Sequence, residues 1–266
     1  MRNLRTSFLI ACALMVSSPA LATWSIVAVD PLTGEVGVAG ASCSTGVRLI
    51  AGLVPGKGAV ASQAATSFLG KDVAMEMITD GDRADIIVQK LAEEDLYASP
   101  IRIGLQWLQY GLVTLKPSPK AGTVTGYSVP DDWGAVHGDD YSVQGNTLRP
   151  GVVDAVATAW QLDTVGSCRR PLAARLLRAL EAGRDAGGDN RCPIEASSYA
   201  AFLFVAKPED EADAPSIMLE APRHFSGLEM TWQIPLGFTP DPTLPEPVAH
   251  LRQLYDAEAS HPVCGE

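Results

Sequence analysis

The stretch TWSIVAVDPLTGEVGVAGASCS, residues 23–44, decides the fold of this chain. Its first seven residues are apolar on both alternating faces apart from Thr23 and Ser25, a pattern typical of a strand that is covered on both sides. A turn containing proline and glycine leads to a second run, EVGVAGASC, so the stretch predicts a β-hairpin. The glycines and alanines of the second strand favour the close approach of another backbone or of a ligand.

The rest of the chain alternates between groups of strands and groups of helices. Strands are predicted at residues 58–64, 101–107, 111–115, 123–129, 199–206, 217–220 and 229–234. Helices are predicted at residues 71–78 and 248–258, and a third follows Asp82, which is its N-cap. Two further helices begin with Pro150 and Pro171 as their first residues. Strands in runs and helices in pairs predict a layered α+β fold. Residues 23–234 are expected to form the domain, and residues 235–266 a proline-rich linker and a C-terminal helix that packs on it.

The first 22 residues have the features of an export signal. Two arginines give a positive start, and residues 8–16 form an apolar run too short to span a bilayer. The closing tripeptide, residues 20–22, supplies the small residues that signal peptidase requires, so cleavage is expected after Ala22. Cleavage after Ala20 and an uncleaved membrane anchor are the alternatives. The prediction is a periplasmic or secreted protein that begins at Thr23 and is not inserted in a membrane after cleavage.

The acidic charge balance excludes several partners. Lys and Arg total 20 against 31 Asp and Glu, and loss of two arginines with the signal makes the mature chain more negative still. Such a chain is a poor partner for phosphate backbones, so no nucleic-acid binding is expected. The histidines are scattered, and the run HGDD from His137 is more typical of a solvated turn than of a metal site. Neither a metal nor another cofactor is predicted, and a homo-oligomer remains open.

Four cysteines remain after the signal, an even number that suggests two disulfides in an exported protein. Four cysteines allow three pairings. Cys168 and Cys192 flank one predicted helix, which favours their pairing and leaves Cys43 to join Cys264 and tie the C-terminus back.

The predicted new N-terminus is the best candidate for chemistry. A threonine hydroxyl is a weak nucleophile unless a base lies beside it. An N-terminal threonine carries its own base, because a free α-amino group titrates at about 7.7–8.0 and is neutral in part at working pH. Thr23 would therefore serve as both nucleophile and α-amino base. Threonine also follows many signal peptides by chance, so the residue type alone is weak evidence.

A family resemblance strengthens this interpretation. Residues 23–44 resemble the opening of uncharacterised bacterial and archaeal proteins that are placed in the Ntn-hydrolase superfamily and known only as a domain of unknown function. Further resembling blocks follow in order: GAVASQA, DDYSVQGN, PLAARLLRALEAG and AGGDNR, which begin at residues 58, 139, 171 and 186. Cytoplasmic relatives start Met-Thr, so removal of methionine there would expose the same threonine as signal cleavage here. The chain departs from the family pattern at Cys192 and over residues 105–130.

The resemblance implies a fold and a set of assisting residues. The superfamily fold is a four-layer αββα sandwich of two stacked antiparallel sheets with helices outside. Its chemistry needs donors aimed at the developing oxyanion, and Gln63, the amide of Ala64 and Asn146 are the candidates. Asn146 is equally typical of a left-handed turn residue. Lys57 would depress the pKa of the Thr23 amine, although a surface lysine is the simpler interpretation.

Three further residues are predicted to bind substrate. Ser42 ends the second strand, Gln144 lies within the YSVQGN block, and Asp189 follows two glycines. Asp189 would bind a substrate amine or stabilise a turn, and Ser42 is otherwise a polar strand end. The expected function is an exported N-terminal-threonine amidohydrolase that acts on a small-molecule or peptide-like amide through an acyl-enzyme. The alternative is a catalytically silent Ntn-like domain that binds a small ligand or a cell-envelope component.

Overall fold

The structure is a computed structural model that describes residues 23–44, 46–93, 105–129, 132–163, 170–222 and 245–258. The strands in these ranges are β1 (Thr23–Val29), β2 (Val36–Ser42), β3 (Ala51–Val54), β4 (Gly58–Ala64), β5 (Leu108–Thr114), β6 (Lys120–Thr125), β7 (Gly134–His137), β8 (Tyr141–Asn146), β9 (Ala200–Ala206) and β10 (Ile217–Pro222). The α-helices are α1 (Phe68–Asp80), α2 (Ala84–Glu93), α3 (Val152–Asp163), α4 (Leu172–Asp185) and α5 (Pro247–Glu258). None of the helices in these ranges is long and apolar enough to cross a membrane.

The strands form two antiparallel sheets. One sheet has six strands in the order β10-β9-β2-β1-β8-β7, and the other has four in the order β3-β4-β5-β6. β1 lies in the interior of the larger sheet, between β2 and β8. The described residues therefore form a mixed α+β fold with two antiparallel sheets and five α-helices, as the α+β prediction requires.

The predicted hairpin is confirmed as β1 and β2, which pair along their whole length from Thr23 opposite Ser42 to Val29 opposite Val36. Asp30 closes the turn, since its Oδ1 accepts from the backbone N–H of Leu32 at 2.9 Å. Its own N–H donates to the carbonyl oxygen of Glu35 at 2.8 Å. An aspartate that hydrogen-bonds the backbone two residues on is a standard way to start a tight turn.

Alternation along β1 divides its side chains between two cores. Trp24, Ile26 and Ala28 face α3 and α4 in one apolar cluster. Val27 and Val29 lie in a second cluster that includes residues of β4 and β5 and therefore fills the space between the sheets. A third cluster joins the outer face of the four-stranded sheet to α1 and α2. Both faces of β1 are thus buried, which explains why its sequence is apolar throughout.

Helix α1 is longer than the sequence predicted. Ser67 is its N-cap, with Oγ accepting from the backbone N–H of Gly70 at 3.0 Å. Gly81 ends it in the left-handed conformation at φ 92°. Asp82 was the predicted N-cap of α2, but its backbone N–H donates to Met77 and closes α1 instead. The first residue of α2, Ala84, donates its N–H to Thr114 Oγ1 at 3.2 Å.

Several strand predictions are corrected. Residues 105–107 of the strand predicted at 101–107 form a 3-10 helix, and residues 101–104 lie outside the described residues. The strand predicted at 111–115 is the second half of β5, which begins at Leu108. β6 lies at Lys120–Thr125 rather than 123–129, and β3, β7 and β8 were not predicted. β3 is only four residues long and lies at a sheet edge beside a glycine-containing turn, so it leaves little periodic pattern in the sequence. The strand predicted at 229–234 lies outside the described residues.

The disulfide prediction is also corrected. Cys43 is bonded to Cys192 across a sequence separation of 149 residues, so the favoured pairing of Cys168 with Cys192 and of Cys43 with Cys264 is wrong. Cys43 directly follows β2, and Cys192 lies in the loop after α4, which packs on β2. The tertiary fold brings these ends together, whereas sequence proximity favoured the wrong partner. Cys168 and Cys264 lie outside the described residues.

Candidate functional site

The inter-sheet space is apolar at one end and polar at the other. On β1 the side chains that face it are Thr23, Ser25, Val27 and Val29, so polarity is confined to the start of the strand. Thr23 and Ser25 are both buried. The polar end of the inter-sheet space is therefore built around the first residue of β1.

Residues on the neighbouring strands extend this polar end. Thr23 lies opposite Ser42 of β2 on one side and opposite Asn146 of β8 on the other. Ser25 lies opposite Gln144 in the same way. Directly opposite residues of antiparallel strands point to the same face. The structure therefore brings four predicted site residues, Thr23, Ser42, Gln144 and Asn146, into one cluster.

Hydrogen bonds join the two sheets through Ser25. Its Oγ donates to Gln63 Oε1 of β4 at 2.6 Å and accepts from Gln144 Nε2 at 2.6 Å. Ser142 Oγ donates to Gln144 Oε1 at 2.7 Å. All four side chains are fully buried. A buried polar network of this kind fixes the register of the sheets, because any slip would leave its members unpaired.

Gln63 holds the backbone of Thr23. Its Nε2 donates to the carbonyl oxygen of Thr23 at 3.3 Å and to Gln109 Oε1 at 2.8 Å. An amide nitrogen has two N–H donors, so both are engaged. The predicted role of Gln63 as an oxyanion donor does not fit this geometry, and the side chain positions Thr23 instead.

Gln109 of β5 completes the network and was missed by sequence reasoning. It is fully buried, and its Nε2 lies within hydrogen-bond distance of the carbonyl oxygens of Gly145 (3.2 Å) and Gly134 (3.3 Å). Its Oε1 accepts from Gln63 and from Asn146 Nδ2, the latter at 3.3 Å. The predicted strands left residues 108–110 unassigned, which hid an amide at an inward position of β5.

Asn146 is a fully buried strand residue, not the turn residue that one interpretation allowed. The left-handed conformation falls on the next residue, Thr147, at φ 51°. A β-branched residue rarely adopts this conformation, and such strain is concentrated at functional sites. Asn146 Oδ1 is buried and makes no hydrogen bond within the described residues.

Asp189 is buried and serves the loop around the disulfide. Its carboxylate accepts from the backbone N–H of Cys43 at 2.7 Å and of Arg191 at 2.9 Å. The Arg191 guanidinium adds two further bonds, from Nε at 3.2 Å and from Nη2 at 2.8 Å. This geometry matches the turn-stabilising interpretation of Asp189.

Arg191 is a second residue that sequence reasoning missed. Its Nη2 also donates to Ser42 Oγ at 3.3 Å, and Ser42 lies directly opposite Thr23. The AGGDNR block contained the signal, since an arginine two residues after a buried aspartate can turn back onto it. Arg191 therefore brings a positive charge to Ser42, the residue opposite Thr23 on β2.

Lys57 does not lie at this site. It is exposed in the turn between β3 and β4, and its Nζ donates to the carbonyl oxygen of Thr79 at 2.6 Å. Gln63 lies six residues further along an extended strand, which places Lys57 roughly 20 Å from the cluster at about 3.3 Å per residue. The expectation that Lys57 depresses the pKa of the Thr23 amine is corrected on this ground.

No group of three His, Cys, Asp or Glu side chains within the described ranges is placed to hold a metal ion. The predicted turn at His137 is confirmed, since β7 ends at that residue and the chain turns before β8 begins at Tyr141. The cluster described above consists of hydroxyl, amide and backbone groups, and Arg191 is hydrogen-bonded to it through Ser42.

Fold and cluster together define an α+β protein with two antiparallel sheets and a buried polar site between them at the start of β1. A model for the "Family of unknown function (DUF1028)" matches residues 23–225, and the chain belongs to this family. The match begins at Thr23, the residue around which the polar cluster is built. Among curated proteins, none matches the chain.

A solved structure shares this fold. A crystal structure of a Silicibacter pomeroyi protein, described by the same DUF1028 family model, is similar with a TM-score of 0.63 and 24% sequence identity. The similarity covers 89% of this chain and 88% of the other. Likeness at this identity shows the fold alone.

Proposed function

We propose that the mature protein begins at Thr23 and is an exported N-terminal-threonine amidohydrolase of the Ntn type. One observation carries the proposal: Thr23 is the first residue of an interior strand, and its side chain faces a buried polar cluster between two sheets. The flanking positions across both neighbouring strands hold Ser42 and Asn146. A nucleophile that carries its own amine needs such a fixed, water-poor setting.

The layering supports the assignment to the Ntn superfamily. Helices α1 and α2 cover the outer face of the four-stranded sheet, and α3 and α4 cover the six-stranded sheet. The second apolar cluster joins the two sheets face to face. The order helices, sheet, sheet, helices is that of the four-layer αββα sandwich.

The proposed reaction proceeds through an acyl-enzyme. The α-amine of Thr23 takes the hydroxyl proton while Oγ1 bonds to the carbonyl carbon of an amide substrate. The carbon–nitrogen bond then breaks, and the departing amine leaves with that proton. Water attacks the resulting ester, passes a proton to the Thr23 oxygen, and releases a carboxylic acid. Atoms balance with water as the only co-reactant.

The backbone N–H of Ala64 is the best-placed donor for the oxyanion. Ala65 donates its N–H to Trp107 on the β5 side, at 3.0 Å. Ala64 lies opposite Leu108 of β5, but the carbonyl oxygen of Leu108 accepts from the N–H of Gly126 on the β6 side at 2.9 Å and is therefore turned away from the N–H of Ala64. Ala64 directly follows Gln63, which holds Thr23, and it has a left-handed backbone at φ 66°.

A catalytically silent domain that binds a small ligand or a cell-envelope component is the second candidate. The buried hydrogen-bond network favours this second candidate, because both side-chain donors of Gln63 are used within the protein and do not serve an oxyanion. The hydrolase, in contrast, would act on a small-molecule or peptide-like amide. The disulfide near the site supports a periplasmic or secreted location, where such bonds persist.

Two measurements test the proposal. Intact mass of the exported protein should give Thr23 as the first residue. A β-lactone probe should then acylate the wild type and the Thr23→Ser variant, which keeps a hydroxyl, but not Thr23→Ala. Peptide mapping should place the label on residue 23.

Thr33→Ala is the matched control, because it removes a hydroxyl from the hairpin turn at the other end of β1. It should label as the wild type does. A chain that begins elsewhere, or equal labelling of Thr23→Ala, would exclude the mechanism. A wild type that begins at Thr23 but takes no label, while it still binds an amide ligand, would favour the silent domain.

A further inference from the structure

One polar atom at the polar end of the inter-sheet space lacks the partner that its burial demands. Asn146 is fully buried, and its Oδ1 makes no hydrogen bond within the described residues. A buried acceptor without a donor loses its hydration and gains nothing in return, so such an atom requires an explanation such as a site that receives another group. The unpaired oxygen marks a position for an N–H or O–H donor.

The orientation of the Asn146 amide is fixed by its neighbour. Gln109 Nε2 faces backbone carbonyl oxygens of Gly134 and Gly145, which accept and never donate. Gln109 Oε1 therefore faces Asn146 and receives its Nδ2 at 3.3 Å. A flipped Asn146 would set two amide oxygens against each other. Asn146 consequently presents its oxygen, rather than its nitrogen, to the remaining side.

Thr23 is the residue beside that oxygen. Asn146 and Thr23 are direct partners in the β1–β8 ladder, with side chains on the same face of the sheet. In the full-length chain, the nitrogen of Thr23 is a peptide nitrogen with a single hydrogen. Cleavage after Ala22 would convert it to an amine and supply additional N–H donors at this position.

We propose that Asn146 Oδ1 accepts a hydrogen bond from the α-amine of Thr23 once the leader is removed, and so acts as a positioning residue. The inference rests on the proposed function through the start at Thr23. It replaces the earlier expectation that Asn146 is an oxyanion donor. It also gives the orphaned oxygen a partner that exists only in the mature protein.

The bond would orient the base. A neutral amine has two N–H donors and one lone pair, and only the lone pair can take the hydroxyl proton. An acceptor that holds one N–H turns the lone pair in a defined direction. Asn146 thereby shapes the approach of the hydroxyl proton without touching the substrate.

Charge substitutions at Asn146 should move the pKa of the amine in predictable directions. In Asn146→Asp, a carboxylate at hydrogen-bond distance stabilises the ammonium form and should raise the pKa of the amine by about 1 unit or more. In Asn146→Leu, loss of the acceptor removes stabilisation of the ammonium form and should lower it. Because a nearby carboxylate raises the pKa through charge alone, the lowered pKa in Asn146→Leu is the result that a residue that only filled space would not give.

The experiment measures the amine directly and does not depend on activity. Mature wild type, Asn146→Asp and Asn146→Leu are treated with an amine-reactive anhydride over a range of pH. Mass spectrometry of the N-terminal peptide gives the reaction rate and hence the pKa of the α-amine. We expect the order Asp variant, wild type, Leu variant from highest to lowest.

Gln144→Glu is the matched control, because it places the same new charge two residues away on the same face of β8, opposite Ser25. Its shift should be less than half that of Asn146→Asp. Equal pKa values in all Asn146 variants, or an equal shift in Gln144→Glu, would overturn the hydrogen bond. If Asn146→Asp does not fold, the lowered pKa in Asn146→Leu decides.

The two proposals fail separately in this design. If the mature chain does not begin at Thr23, both the proposed function and the inference about Asn146 are excluded. If the chain begins at Thr23 and the β-lactone labels it, but the pKa of the amine is unchanged in the Asn146 variants, only the inference is excluded. An amine that responds to Asn146 in a protein that takes no label supports the inference and leaves the silent-domain function.

Discussion

Gly111 of β5 lies directly against the side-chain amide of Gln144 on the opposing sheet. A β-carbon built on Gly111 would overlap Oε1 and Cδ of Gln144 and come within 2.6 Å of Ser142 Oγ. These two side chains belong to the buried network that surrounds Thr23. The missing side chain of Gly111 therefore makes room for the polar cluster between the sheets.

Gly111→Ala should destabilise the protein by about 1–3 kcal/mol, because an extra methyl group must displace buried, hydrogen-bonded side chains. Urea unfolding of the purified variant measures the effect. Gly134→Ala is the control, since its β-carbon would meet only Val153, at 3.2 Å, and should cost less than about 1 kcal/mol. Addition of Gln144→Ala should relieve part of the Gly111→Ala loss, and strictly additive losses would contradict the contact.

Gln63→Leu should destabilise the protein by about 1–3 kcal/mol, because Gln109 Oε1 and the carbonyl oxygen of Thr23 each lose a donor in a buried setting. Thermal and urea unfolding measure this change. Gln89→Leu replaces an exposed glutamine of α2 and should stay within about 0.5 kcal/mol of wild type. A Gln63 variant as stable as the Gln89 variant would show that the network contributes little.

Loss of the Cys43–Cys192 bond should lower the free energy of unfolding by about 2–5 kcal/mol, because the bond closes a long loop in the unfolded chain. The double variant Cys43→Ser/Cys192→Ser and reduced wild type should melt at similar temperatures. Peptide mapping without reductant should recover Cys43 joined to Cys192, also in Cys168→Ser. Recovery of Cys43 joined to Cys264 would refute the pairing.

Stability should fall above pH 10 partly through Tyr255 of α5. Burial raises the pKa of Tyr255 to about 12, above its ordinary value of 10.0. The folded protein therefore keeps a proton that the unfolded chain releases, and the associated stability is lost as pH rises from about 10 to 12. Relative to wild type, Tyr255→Phe should gain about 1–2 kcal/mol over this interval.

Urea unfolding at pH 8 and pH 11 measures the Tyr255 effect. Tyr127→Phe is the control, because Tyr127 is 87% exposed. The difference between Tyr127→Phe and wild type should not change with pH. A parallel fall in Tyr255→Phe and wild type would argue against a role for Tyr255.

Local pattern determined the elements with strong periodicity. β1 was predicted at its observed bounds because both of its faces are buried and every residue after Ser25 is apolar. Prolines located α3 and α4 to within two residues, but neither is the first helical residue: Pro171 is the N-cap of α4, and Pro150 precedes α3 by two residues. The start of β5 was misplaced, because its inward face begins with Gln109 and Gly111 before it reaches the apolar Val113. Tertiary contacts decide that strand, and no local pattern reports them.

The sequence likewise predicted only part of the site, because local patterns report some of its residues and tertiary contacts decide the others. Ser42, Gln63, Gln144 and Asn146 lie in blocks with a recognisable family pattern, and the structure gathers them around Thr23. Gln109 and Arg191 join them through contacts between segments far apart in the chain. Lys57 directly precedes β4, but it lies at the end of that strand opposite to Gln63. Its residue type suggested an effect on the Thr23 amine, but the direction of β4 brings Gln63 to the cluster and leaves Lys57 far from it.

By itself, the sequence determined the hairpin of residues 23–44, the α+β composition and the chemical types available near Thr23, because these depend on patterns within a few residues. Only the tertiary structure decided which amides meet across the sheets, which cysteine joins Cys43 and which atom of Asn146 is left without a partner. Those outcomes depend on the stacking of one sheet on another. Stacking is set by the whole core, including the space that Gly111 leaves for Gln144.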